Sequence, residues 1–209
     1  MSEDHYFSAQ PASADERRII PVRLAGRDVE VETAGGIFSP GHLDLGTQVL
    51  LRTVPPAPAG EVLDLGCGWG PIALTAALGT ADARVTAVDV NHRSLDLTRR
   101  NAARLGVADR VVTLTPDEVP ADLRFGAIWS NPPIRIGKEA LHALLMTWLP
   151  RLAPSGEAWL VVQKNLGADS LAKWIGAQGW GEIEKVASAK GFRVLRLTAP
   201  TLPDENGSI

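Results

Sequence analysis

From residue 61 onward the chain alternates between two textures. Short runs of apolar residues are each followed by a stretch whose apolar positions return every three or four residues. The first texture is that of buried strands and the second that of amphipathic helices. Strands are predicted at 61–65, 84–89, 110–114, 124–130, 157–163, 183–187 and 192–198. Helices are predicted at 71–78, 92–105, 138–152 and 168–178. Pro71 falls in the first turn of its helix, and Gly106 closes the next one. Strand–helix alternation of this kind implies a doubly wound α/β fold, its mostly parallel sheet of seven strands covered on both faces. The last two strands have only Ala189-Lys190-Gly191 between them, so they are expected to form an antiparallel edge hairpin.

Residues 1–42 read differently. Runs 18–24 and 29–33 flank Ala25-Gly26-Arg27-Asp28 and predict a hairpin, followed by the glycine- and serine-rich stretch TAGGIFSPGHLDLGT. A short helix is predicted at 47–53, ended by Pro55-Pro-Ala-Pro-Ala59. The expected division is an N-terminal extension with a β-hairpin at 1–42, an α/β domain at 43–200 and a flexible tail at 201–209.

Composition changes this picture little. The 209 residues are 45% hydrophobic and 22% charged, ordinary for a globular chain. The longest apolar runs are too short to span a bilayer, and the acidic start Met-Ser-Glu-Asp-His has no secretory core. A single cysteine, Cys67, excludes an internal disulfide and any multi-cysteine metal site, and the four histidines lack metal spacing, so no metal is expected. A cytoplasmic location and a monomeric state are the expectations. The net charge of −3 argues against a nonspecific nucleic-acid coat but leaves room for a local basic patch.

The candidate chemistry begins at Asp64-Leu-Gly-Cys-Gly-Trp-Gly70, between the first sheet strand and a helix. Glycines let a ligand approach the backbone, and the helix N-terminus offers free N–H groups. The spacing G-x-G-x-G differs from the dinucleotide fingerprint. Asp64 would repel a pyrophosphate yet suits a cationic amino group. Asp89 ends the next strand, placed for ribose hydroxyls. A nucleoside carrying an amino acid suits this pair of acids better than a dinucleotide does. Cys67 reads as a small packed residue within the loop, and Trp69 as a wall of the site.

The segments VLDLGCGWGPIAL, VTAVDVN and SNPPI resemble class I S-adenosylmethionine-dependent methyltransferases. GIFSPGHLDLGTQVLL narrows the resemblance to the "methyltransferase small" family, which includes the type C ribosomal RNA small-subunit guanine-N2 methyltransferases and single-domain archaeal relatives. HYFS near the start and NPPIRIGKEALH resemble the single-domain members. The resemblance implies a Rossmann-like class I methyltransferase fold with S-adenosylmethionine as cofactor. It implies that Asp64, Leu65, Gly66, Cys67, Gly68 and Gly70 line the methionine end. Asp89 takes the ribose, Val90 or Asn91 flanks the adenine, Asp117 accepts from the adenine amino group, Thr47 sits where the family's lead-in loop closes over the cofactor, and Asn131 is counted among the cofactor-binding residues.

It also gives SNPPI a purpose. An exocyclic amine or carboxamide nitrogen is a poor nucleophile because its lone pair is delocalised. The side-chain oxygen of Asn131 and the backbone carbonyl of Pro132, held rigid by Pro133, can accept its hydrogens and free that lone pair. Acceptors aimed at growing charge are efficient catalysts. Ile134 stands where many relatives place an aromatic that stacks the target base.

Arg135, Lys138, Lys164, Lys190 and Arg193 follow strand ends or flank the last hairpin, so they are expected on one edge as a phosphate-binding patch, which Arg17, Arg18, Arg23 and Arg27 can extend. The expected activity is methylation of a guanine N2 amine in ribosomal RNA, with the RNA or the ribosomal subunit as partner. The alternatives are methylation of a protein glutamine or an adenine amine, and a cofactor-binding RNA-associated protein of low turnover.

Overall fold

The computed structural model describes residues 16–201. HYFS, His5 and the tail beyond Thr201 lie outside the described residues. The lead-in hairpin forms as the pattern predicts. Strands β1 (Arg18–Leu24) and β2 (Arg27–Thr33) pair antiparallel through a two-residue turn, Ala25-Gly26, both at positive φ.

The main sheet then builds in the expected order: α1 (Leu45–Thr53), β3 (Gly60–Leu65), α2 (Pro71–Gly79), β4 (Ala83–Val88), α3 (His92–Arg104), β5 (Val111–Leu114), β6 (Phe125–Ser130), α4 (Lys138–Trp148), β7 (Leu152–Gln163), α5 (Ala168–Gly176), β8 (Glu182–Ala189) and β9 (Phe192–Thr198). Across the sheet the order is β5-β4-β3-β6-β7-β9-β8. The first five of these run parallel, and the β8–β9 hairpin closes the edge antiparallel. Most boundaries shift by one or two residues, and the changes at α1, α4 and β7 bear on the site or the sheet. Helix α1 begins two residues earlier than predicted. Helix α4 ends at Trp148, because Pro150 turns the chain into a 3₁₀ turn over Leu149–Arg151. Strand β7 begins at Leu152 instead of 157, with a register shift against β6 at its start.

Successive strand residues face opposite sides, and the two cores follow that period. Val62, Ala127, Trp129, Trp159 and Val161 face α1, α2, α3 and the lead-in hairpin. Leu63, Ile128, Ala158, Leu160 and Val162 face α4 and α5 around Trp148 and Phe125. The tryptophans behave as packing residues: Trp129, Trp148 and Trp159 are buried, and Trp174 and Trp180 pack half-buried against the second core.

A buried amide helps to bind the lead-in hairpin to the sheet domain. Asn101 of α3 donates through Nδ2 to the carbonyls of Glu32 (2.9 Å) and Trp69 (2.9 Å), and its Oδ1 accepts the Glu32 N–H (2.7 Å). A second amide, Asn91, donates to the Gly36 carbonyl at 2.9 Å. The glycine loop and the lead-in segment are therefore held by the same helix.

Candidate active site

In an open parallel sheet a crevice forms where neighbouring connections leave in opposite directions. Here that point lies between β3, which leads toward β4, and β6, which leads toward β7. A cavity of about 380 Å³ opens there, at the C-terminal strand ends. Leu65, Gly66, Gly68, Val88, Asp89, Val90, Ser94 and Pro116 line one part of it; Asn131, Pro132, Pro133, Ile134 and Arg135 line another. A smaller recess continues beneath Phe38, Asp44, Thr47, Cys67, Trp69 and Asn131.

The glycine loop is shaped for close approach. Gly66 and Gly68 take φ of 83° and 57°, and a Cβ at either would project into open space, filling the cradle. Gly70 serves differently. It is the left-handed N-cap of α2, packed so closely on Thr98 that a Cβ would lie 3.0 Å from that side chain. Cys67 is buried, 3.5 Å from the Thr98 hydroxyl, and burial pushes its thiol well up. It is a packing residue that reaches only the recess.

Asp64 departs from its expected place at a cationic amino group. Its carboxyl is fully buried behind the loop, where Oδ2 accepts the Ala73 N–H at 2.9 Å near the start of α2 and Oδ1 has no partner. Burial pushes its pKa up to about 8. An acid raised in this way keeps its proton in the folded chain over a range in which the unfolded chain has lost it. Folding stability is therefore expected to fall as pH rises from about 4 to 8, at up to about 1.4 kcal/mol per pH unit, and to level above 8. Asp64→Asn is expected to remove its share of that slope between pH 6 and 8. Urea unfolding at several pH values measures it; an unchanged slope would refute the assignment.

Asp89 follows β4 and lines the cavity. Oδ2 accepts the Gly68 N–H at 3.0 Å, and Oδ1 accepts the Asn91 N–H at 2.9 Å. Its remaining lone pairs border the cavity, beside the half-exposed Val90. Burial raises its pKa against the lowering effect of those bonds and of Ser94. Asn91 does not reach the cavity. Its Oδ1 caps α3 by accepting from the Arg93 and Ser94 N–H groups. Asp117 is exposed and bonded to Thr115, which lowers its pKa. The turn after β5, closed by Glu118 on the Thr115 N–H (2.7 Å) and hydroxyl (2.8 Å), carries Asp117 outward and leaves Pro116 on the cavity wall.

At the end of β6, the Ser130 hydroxyl donates to the Leu65 carbonyl at 2.6 Å and ties off the sheet. Asn131 Nδ2 then donates to Asp44 Oδ2 (2.8 Å) and Thr47 Oγ1 (3.1 Å). Thr47, expected where the lead-in loop closes over a cofactor, contacts Asn131 and lines the recess. Pro133, at φ −74° and ψ 77°, forms an inverse γ-turn in which the Pro132 carbonyl accepts the Ile134 N–H at 2.8 Å. That carbonyl is free of the sheet, as expected, but one of its two lone pairs is already used.

The basic residues share the expected edge. Arg135 lines the cavity, Lys138 opens α4, and the turns carrying Lys164 and Lys190 are joined by a Lys164 N–H bond to the Gly191 carbonyl (2.8 Å). These four side chains are exposed. Arg193 is a correction: half-buried, it pairs with Asp169, as does Lys185. Arg17 and Arg23 are likewise paired, with Glu32 and Asp96 and with Asp28. Among the described residues there is no cluster of His, Cys, Asp and Glu able to hold a metal, and no helix is long and apolar enough to cross a membrane.

A glycine cradle, an acid for a cis-diol and apolar walls from Leu65, Val90 and Pro116 fit S-adenosylmethionine. With this crevice at the β3–β6 junction, they define a class I S-adenosylmethionine-dependent methyltransferase. Within that class the chain belongs to the methyltransferase small domain family, whose model matches residues 28–196. The chain is 32% identical over 199 residues to the protein YbxB of Bacillus subtilis (strain 168), covering 94% of this chain and 98% of that one. It is 34% identical over 204 residues to the ribosomal RNA small subunit methyltransferase C of Pseudomonas entomophila (strain L48), covering 95% of this chain but 59% of that enzyme. Among solved structures, the 16S rRNA N2 methyltransferase RsmC of T. thermophilus, in complex with AdoMet and guanosine, superimposes with a TM-score of 0.76 at 23% identity. That likeness covers 90% of this chain and 52% of the other, and at such identity it speaks for the fold.

Proposed function

We propose that the chain methylates an exocyclic guanine N2 amine in ribosomal RNA, a substrate of the cytoplasm. The observation that carries this reading is the orientation of Asn131. Its Nδ2 is committed to Asp44 and Thr47, so its Oδ1 is left as an acceptor at the cavity. S-adenosylmethionine supplies an electrophilic methyl group when bound. Asn131 Oδ1 accepts one hydrogen of the target amine, and the remaining lone pair of the Pro132 carbonyl is placed for the other. The nitrogen lone pair is thereby localised toward the cofactor. Phe38, Ile134, Leu166 and Phe192 supply apolar walls for a base, so the aromatic surface absent at Ile134 is available from Phe38 and Phe192. The resemblance in sequence to the ribosomal RNA small subunit methyltransferase C enzymes supports RNA as the substrate class.

Arg135, Lys138, Lys164 and Lys190 form the phosphate-facing rim. Binding of ribosomal RNA is expected to weaken with salt by a log–log slope of about 0.7–0.9 per phosphate contact. Reversing Lys164 and Lys190 to Glu is expected to lower that slope by about 1.4–1.8, if each makes one contact, and to leave S-adenosylmethionine affinity unchanged. Filter binding across a salt series measures the first and calorimetry the second. An unchanged slope would remove this rim from the RNA interface.

Mass analysis of ribosomal RNA from a strain lacking the gene tests the substrate. Loss of one methylguanine supports the reading. Unchanged RNA together with an unmethylated release-factor glutamine would transfer the activity to a protein amide, which the same acceptor geometry serves.

A further inference from the structure

We infer that Asp44 is a positioning residue of the methyl transfer: it holds the Asn131 carboxamide with its NH2 turned away from the bound amine and its oxygen turned toward it. The inference rests on the reading of Asn131 as the acceptor for the target amine. The two ends of a carboxamide are nearly equal in size, so packing alone does not choose between them. Only one orientation serves, because the NH2 end would set a donor against the donors of the substrate. A carboxylate decides the matter, since it can only accept. Asp44 Oδ2 lies 2.8 Å from Asn131 Nδ2, and Thr47 Oγ1 takes the second hydrogen at 3.1 Å.

Asp44 is itself fixed. It is the N-cap of α1, where the same Oδ2 accepts the Thr47 N–H at 3.0 Å. The positive end of a nine-residue helix favours a carboxylate there. Capping alone does not require aspartate: serine caps a helix equally well. What serine lacks is the extra atom of reach and the inability to donate. Asp44 also lines both the cavity and the recess with Asn131, so the lead-in segment completes the acceptor site of a strand 87 residues away.

Asp44→Ser separates the two roles, because it keeps a capping oxygen for α1. Methyl incorporation from radiolabelled S-adenosylmethionine into small ribosomal subunits, purified from the strain lacking the gene, is expected to slow about tenfold, the loss of one hydrogen bond to a charged group. S-adenosylmethionine affinity is expected to stay within about twofold, since the cofactor does not depend on that bond. The double variant Asp44→Ser/Asn131→Ala is expected to be no slower than Asn131→Ala alone, since Asp44 acts through Asn131. Additive losses, or an unimpaired Asp44→Ser chain, would overturn the inference while leaving the function intact. A second readout needs no substrate. The Asn131 side-chain NH2, assigned by its disappearance in Asn131→Ala, is expected to be protected from hydrogen exchange in the parent and less protected in Asp44→Ser, where only the Thr47 bond remains. Equal protection in both would overturn the inference. Failure of the parent to methylate the subunits would instead count against the proposed function.

Discussion

Asn131→Ala is expected to cripple turnover while S-adenosylmethionine still binds. The acceptor it removes works only as the amine nitrogen becomes tetrahedral, so its loss falls on the transition state. By analogy with the removal of one oxyanion-hole donor, the cost is on the order of 10²–10³ in rate. Cofactor affinity is expected to stay nearly unchanged, because the cradle is made by Gly66, Gly68 and Asp89 on β3 and β4, while Asn131 follows β6. Asn131→Asp should fare no better. Its carboxylate would face Asp44 across the present 2.8 Å contact, and two like charges at that distance cannot both stay ionised. Single-turnover methylation of subunits from the strain lacking the gene measures the rate, and calorimetry the affinity. Near-normal methylation by Asn131→Ala would overturn the acceptor assignment.

How far such a site can be read without coordinates depends on whether its parts are local. Gly66, Gly68, Asp89 and Asn131 were legible because each ends a strand, and a parallel sheet brings those ends to one edge. Asp44 was not. A helix predicted to begin at Thr47 leaves Asp44 in a loop, whereas α1 begins at Leu45 with Asp44 as its cap. The obstacle was Gly46, a poor residue for a first helical turn. Its reason is tertiary: a Cβ there would lie 2.9 Å from the Phe192 ring of β9. The late helix start and the missed site residue are one error.

The other departures share that character. Asp117 follows β5 as an adenine-binding acid should, but the side chain of Glu118 closes a turn that carries it outward. The family resemblance offered Val90 or Asn91 as a flank of the adenine; Val90 lines the cavity, whereas Asn91 serves as a cap and as a tie to Gly36. Arg193 lies on the expected edge, yet its charge is matched by Asp169 at the start of α5, a pairing no local pattern announces. Backbone position followed from periodicity and punctuation. The partner of each side chain depended on elements far along the chain.

Asp89→Ala is expected to weaken S-adenosylmethionine binding from tenfold to more than a hundredfold. The range corresponds to the loss of about 1.5–3 kcal/mol, as for a hydrogen bond to a charged group. The upper end is favoured by what else the carboxylate holds. It accepts the Gly68 and Asn91 N–H groups, so its removal loosens the cradle as well as the ribose contact. Asp89→Asn keeps an acceptor for one of those bonds and should lose less. The pH dependence gives a separate check. Burial raises the Asp89 pKa, so the free protein takes up a proton there more readily than an ordinary aspartate. Hydroxyls that donate to the carboxylate favour its charged form, which means that binding must expel that proton. Affinity is therefore expected to fall as pH drops through the raised pKa and to be flat above it. In Asp89→Ala that acid-side loss should disappear along with most of the affinity. Calorimetry at several pH values decides the matter: an unaltered Kd, or an acid-side loss that persists in the variant, would place the ribose elsewhere.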